Sequence, residues 1–201
     1  MKNLFLLILT IFFLTPAIAQ ESVKQQEVGF AFSNFNQFGL IYKSGTQKAL
    51  WRFETLALAG DNNTSKTDDG SNTLNSLGFS LRIGRETRKN IVPNLELRLG
   101  GDISFLVNHS KRESKNDNSP NNDRLTKRTT YEPGINFVFG LNYVVKEQLV
   151  LGVEVLPGIS YMTGVEKTTI GSGNEENTDY SGFSYGFRNN FARLTVAYRF
   201  N

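Results

Sequence analysis

From Leu95 the chain reads LELRLGGDISFLV, and Leu95, Leu97, Leu99, Ile103, Phe105 and Val107 form an apolar row that only Gly101 interrupts. Between them stand Glu96, Arg98, Gly100, Asp102 and Ser104, all charged or small. A helix would scatter these apolar residues around its circumference, whereas a strand places them on one face. The alternation also outlasts the typical strand of about 5–6 residues. The same period of two runs through Val28, Phe30 and Phe32; Phe38, Leu40 and Tyr42; Trp51 and Phe53; Leu77, Phe79, Leu81 and Ile83; Ile135, Phe137, Phe139, Leu141 and Tyr143; and Leu149, Leu151, Val153 and Val155. No segment carries a convincing helical period, so the fold class is all-β.

These rows predict eight strands at about 27–33, 38–44, 48–59, 75–86, 94–107, 130–144, 149–162 and 181–200. Short connections fall at 44–47, 86–92 and 145–148, and long polar ones at 60–73, 108–128 and 163–179. With 34–37 as a further connection on the long side, short and long alternate, the mark of an antiparallel up-and-down meander. Phe183, Tyr185 and Phe187 share odd parity while the last apolar row is even, which predicts a bulge or break between Asn189 and Arg193. The alternative is that 181–188 belongs to the preceding loop.

Periodicity alone does not say which face is outside. A soluble barrel of the lipocalin kind turns its large apolar side chains inward, and a transmembrane barrel turns them to lipid. Strand length, the asymmetry of the connections and an inner row of small residues favour the second arrangement; that row includes Gly29, Ala31, Gly78, Gly84, Gly100, Gly140 and Gly152. So do Tyr42, Trp51, Tyr143 and Tyr161 near strand ends, where interfacial aromatic girdles belong. The mean hydropathy of −0.31 suits a soluble protein, but an average is blind to alternation.

Compartment follows from residues 1–19. Lys2, the apolar run from Leu4 to Leu14 and the small residues Ala17 and Ala19 before Gln20 read as a cleaved secretory signal, leaving 20–201 as one domain. The chain has no Cys, which excludes disulfides, a thiol nucleophile, a thiolate metal site and a lipidated Cys anchor. A net charge of +3, from 22 basic and 19 acidic residues, argues against a nucleic-acid partner.

At the end of the chain, ARLTVAYRFN sets Leu194, Val196, Tyr198 and Phe200 in one apolar and aromatic row. That row resembles the terminal strand by which the assembly machinery of bacterial outer membranes recognises its β-barrels. With the signal and the meander, the chain resembles the small outer-membrane β-barrel family of the OmpX and OmpA membrane-domain type. The resemblance implies an eight-stranded antiparallel up-and-down transmembrane β-barrel in the outer membrane of a Gram-negative bacterium, in contact with outer-membrane lipid and the assembly machinery. It implies a structural or surface-interaction role, with binding in the segments 60–74, 108–128 and 163–180.

With apolar rows facing lipid, Arg52, Arg82, Arg98, Arg193 and Arg199 point inward with Glu54, Glu96, Asp102 and Glu154. Unpaired buried ions are strongly unfavourable, and eight strands enclose little more than their own side chains, so these residues are expected to pair and plug the interior. A small-solute pore is the alternative. Catalytic chemistry has little to stand on, because the single His109, beside Ser110, lies in a hydrophilic stretch where a solvated imidazole is the simpler reading. Asp61, Asp68 and Asp69 lack the spacing of a calcium loop. No catalytic, cofactor or metal residues are therefore assigned, and a lipid-modifying enzyme and a periplasmic lipocalin-like carrier remain as further alternatives. Lys111, Arg112 and Lys115 in the segment KRESK are candidates for contact with lipopolysaccharide phosphates or an extracellular ligand.

Overall fold

A computed structural model describes residues 23–200 apart from 35–36, 56–58, 68–69, 117–118, 120, 122, 172 and 187–191. The signal segment with Ala17, Ala19 and Gln20 lies outside the described residues, as do Asp68, Asp69 and Phe187. The rest forms one antiparallel sheet of eleven strands. They are β1 (Lys24–Asn34), β2 (Gln37–Thr46), β3 (Ala49–Thr55), β4 (Ala59–Thr67), β5 (Gly70–Val92), β6 (Leu95–Asn116), β7 (Arg124–Val145), β8 (Leu149–Val155), β9 (Gly158–Ile170), β10 (Asn174–Gly186) and β11 (Ala192–Phe200).

The difference from the eight expected strands has a simple cause. β3 and β4 pair successive stretches of β5, and β8 and β9 pair successive stretches of β7. In the same way β11 runs beside β8 and β10 beside β9. Among the described residues, three long strands are thus each seen as two segments. The pairings run β1, β2, β3, β5, β6, β7, β8, β11 and return to β1, where Gln26 faces Phe200 and Phe32 faces Leu194, so the sheet closes on itself as a ring through eight strands.

The long connections are shorter than the sequence suggests. Much of 60–73, 108–128 and 163–179 is strand, in β4, β5, β6, β7, β9 and β10. Their residues are polar on both faces, so the alternation that marks a half-buried strand vanishes although the backbone continues to pair. Likewise 86–92 is not a connection. β5 runs to Val92, and the reversal takes only Pro93 and Asn94 before Leu95. At another short reversal, Lys146 and Glu147 have φ of 49° and 63°, and the Gln148 amide donates to the Val145 carbonyl at 3.2 Å. That is a primed two-residue turn, whose twist matches the strands it joins.

Outward parity changes along the last long strand. Phe183 and Tyr185 point outward on β10, and Leu194, Val196, Tyr198 and Phe200 point outward on β11, so the register shifts by an odd number between Gly186 and Ala192.

Burial is inverted relative to a water-soluble protein. Ile103 is 64 % and Ile135 60 % exposed, and most of the other row-forming apolar residues are exposed with them, Phe32, Leu95, Leu97, Val107 and Val155 only in part. The interior holds Glu27, Arg52, Glu86, Arg98 and Glu154, all essentially inaccessible. Among the described residues, the apolar side chains that are buried include Ile41, Leu50, Val138 and Val150. Small residues make room for the charged ones. A side chain at Gly140 would come within 2.8 Å of both the Arg98 guanidinium and the Val153 carbonyl.

Candidate functional site

Each strand of the ring sends at least one polar side chain into the interior, and these meet in three tiers. Nearest the short turns, Arg88 on β5 grips Glu27 on β1 through two bonds of 2.6 Å, one from each terminal guanidinium nitrogen. Arg199 on β11 donates to Glu27 and to Glu96 on β6, both at 2.8 Å. Asn142 on β7 adds a bond of 3.2 Å to Glu96. Paired, two-toothed contacts of this kind suit the fixed fork of arginine and are about twice as strong as neutral hydrogen bonds.

The middle tier centres on two carboxylates. Glu86 accepts from Lys43 on β2 at 3.1 Å, from Arg88 at 2.6 Å, and from Arg52 and Arg98 at 3.3 and 3.4 Å. Glu154 on β8 accepts from Arg52 at 3.2 Å and Arg98 at 3.1 Å. In the tier farthest from the turns, Glu54 pairs with Arg193 at 2.8 Å and Arg82 at 3.1 Å, and Arg52 Nε lies 3.4 Å from Asp102.

All nine residues singled out as inward charges thus stand in this network: Arg52, Glu54, Arg82, Glu96, Arg98, Asp102, Glu154, Arg193 and Arg199. Four further partners, Glu27, Lys43, Glu86 and Arg88, escape the sequence reading. The signal for Glu27 and Lys43 is parity, since each is two residues from inward Gly29 or Ile41. Glu86 and Arg88 fall in the segment that reads as a connection. Seven cations (Lys43, Arg52, Arg82, Arg88, Arg98, Arg193, Arg199) face six carboxylates (Glu27, Glu54, Glu86, Glu96, Asp102, Glu154), so the interior is close to neutral.

The network separates two concavities. A mouth of about 720 Å³ opens at the short-turn end between Gln25, Lys48, Arg88, Glu96 and Arg199. A smaller one of about 300 Å³ lies at the far end between Arg112, Arg124, Arg128 and Glu166. There the Arg128 guanidinium sits 4.0 Å above the Tyr180 ring, and the Tyr180 hydroxyl donates to the Thr129 carbonyl at 3.2 Å.

The remaining candidates are dispersed. His109 and Ser110 are neighbours on β6, so their side chains leave opposite faces of the sheet. His109 Nδ1 meets the Thr129 hydroxyl at 3.0 Å. Lys111, Arg112 and Lys115 do not act together either, because Arg112 lines the inner concavity and the lysines lie outside, both close to Glu113. The hydrogen bond from Lys115 and the charges of Lys115 and Lys111 hold Glu113 below the ordinary carboxylate range. Among the described residues no group of three or more His, Cys, Asp or Glu is arranged to hold a metal ion.

No family model matches the chain, and no curated protein matches it. Among solved structures, a major outer membrane protein from Thermus thermophilus superimposes with a TM-score of 0.55 at 14% identity, over 89% of this chain and 100% of that one. CarO of Acinetobacter baumannii gives a TM-score of 0.41 at 12% identity, over 87% of this chain and 96% of that one. The Thermus likeness shows that the fold is one an outer membrane protein adopts.

Proposed function

We propose that the chain is an exported outer-membrane protein whose ring of strands is an eight-stranded transmembrane β-barrel. The observation that carries this reading is the inversion of burial, with an apolar face all round and an ion-paired interior. In water, so large an apolar surface would drive association or collapse, and in a bilayer it is the surface that lipid requires. On β7, Tyr131 and Tyr143 lie twelve residues apart on the outer face. At a rise of about 3.4 Å and a tilt of about 40°, this is roughly 30 Å across the membrane, the spacing of two interfacial girdles around a band about 25 Å tall.

The interior network supports a plugged barrel in place of a pore, because the three tiers tie opposite walls together through short ion pairs. The protein's role is then structural or interactive, exerted through the polar sheet that extends beyond the band. Catalysis has no part in this reading. Cell fractionation tests it: the folded chain is expected in the detergent-extracted outer membrane, migrating differently before and after heating, and recovery as a soluble periplasmic protein would overturn it. In planar bilayers no steady conductance in the nanosiemens range is expected.

A further inference from the structure

Beyond the apolar band, the outer face carries a feature that only the pairing register reveals. Lys111 on β6 faces Lys127 on β7, and Lys127 faces Lys167 on β9. The row is bounded by Asn75 on β5 and Asn177 on β10. In sequence Lys111 and Lys127 stand at opposite ends of one segment that reads as a loop, 108–128, and Lys167 lies in another, 163–179.

Like charges directly opposite one another on adjacent strands repel, with Cβ atoms about 5 Å apart. Three in succession are unfavourable unless an anion lies over them. The nearby carboxylates only partly answer the charge. Glu113 is 3.5 Å from Lys111 but also 3.2 Å from Lys115, and Glu175 and Asp179 are on β10, beyond Lys167. Below the row come His109, Thr129 and Val165, and below those Val107, Tyr131 and Thr163. Lys127 is thus four residues past Tyr131, about 10 Å further along the barrel axis. Its stem can bend back along the apolar surface while its ammonium stays at the level of lipid headgroups.

We propose that Lys111, Lys127 and Lys167 form a binding row for the phosphate groups of an anionic glycolipid in the surrounding outer leaflet. The proposal rests on the membrane reading above and specifies what that membrane presents. The far end of the barrel faces a phosphorylated headgroup, and the ammonium row seats its phosphates side by side. A phosphate with charge near −2 placed between neighbouring ammonium groups turns their repulsion into attraction.

The test uses the folded chain in detergent micelles and bisphosphorylated lipid A as the probe, with binding read by native mass spectrometry. Replacing the row by K111Q, K127Q and K167Q is expected to weaken lipid A binding about tenfold or more. Lys→Arg at the same three positions is expected to retain it, as is a charge-matched control, K48Q with K89Q and K146Q, at the opposite end. Heat-modifiable migration establishes that each variant is folded. Equal loss in row and control variants, or no loss in the row variant, would overturn the proposal. Dephosphorylated lipid A is expected to bind as weakly to the wild-type chain as lipid A does to the row variant. Displacement of lipid A by an equal concentration of inorganic pyrophosphate would also overturn it, since the row would then select free phosphate and not a lipid. Failure of the membrane reading registers separately, as a soluble periplasmic chain in the fractionation.

Discussion

Glu154 and Asp102 are both buried carboxylates inside the ring, yet their surroundings differ. Glu154 accepts hydrogen bonds from Arg52 and Arg98, and Arg193 approaches it at 3.7 Å. Asp102 has an ion pair with Arg52 but no hydrogen bond to either oxygen among the described residues. Removing one partner of a satisfied buried ion pair leaves the other charges uncompensated, so Glu154→Gln is expected to cost about 3–5 kcal/mol. Asp102→Asn is expected to cost about 1 kcal/mol or less. Urea unfolding from phospholipid vesicles measures both, and equal losses would show that the network does not discriminate between them. Gly140→Ala brings a methyl group against the Arg98 guanidinium and a backbone carbonyl, and about 1–3 kcal/mol of destabilisation is expected by the same measurement. Parity made the inward direction of Arg52, Arg98 and Glu154 legible in the sequence. It did not reveal which ions pair, because contacts such as Arg52 with Glu154 and Arg193 with Glu54 cross the interior between strands that are not neighbours in the sheet.

At the level of strands and turns, the primed turn at Lys146 and Glu147 places two long side chains in left-handed backbone, which disfavours residues with a Cβ. Lys146→Asn with Glu147→Gly supplies the residues this turn prefers and is expected to stabilise the fold by about 1 kcal/mol, read as a higher urea midpoint. A lower midpoint would show that the two side chains make contacts outweighing the backbone strain. Strand positions inside the apolar band were legible because each face meets a different medium. The extensions of β5, β6, β7 and β9 were not, since both of their faces are polar and strand pairing leaves no mark on such a sequence. The same blindness hid the lysine row, which depends on two pairings between extensions, β6 with β7 and β7 with β9. It also made KRESK read as one basic cluster, although alternate residues of a strand part to opposite faces.

On the scale of the whole molecule, one sheet closes through eight strands with its ionic residues inside and its apolar residues outside. Ile103 stands within the apolar band, and Ile103→Arg is expected to cost about 2–4 kcal/mol of folding free energy in a bilayer. On a surface facing water the same change would be nearly neutral, so the size of the loss reports the medium. The overall class was legible from alternation and connection order, and the parity change between Tyr185 and Leu194 marked the break ahead of β11, whereas the break between β8 and β9 at Leu156 and Pro157 was not legible, because alternation alone does not register the backbone donor that a proline lacks. The unmodified chain offers the most direct measurement, since Trp51 is its single tryptophan and lies on the outer face, half exposed, with Arg85 over its ring at 5.7 Å. If that face meets lipid, vesicles with brominated acyl chains will quench the Trp51 fluorescence of the folded protein. Emission that brominated lipid leaves unchanged, with quenching by aqueous iodide instead, would contradict the account.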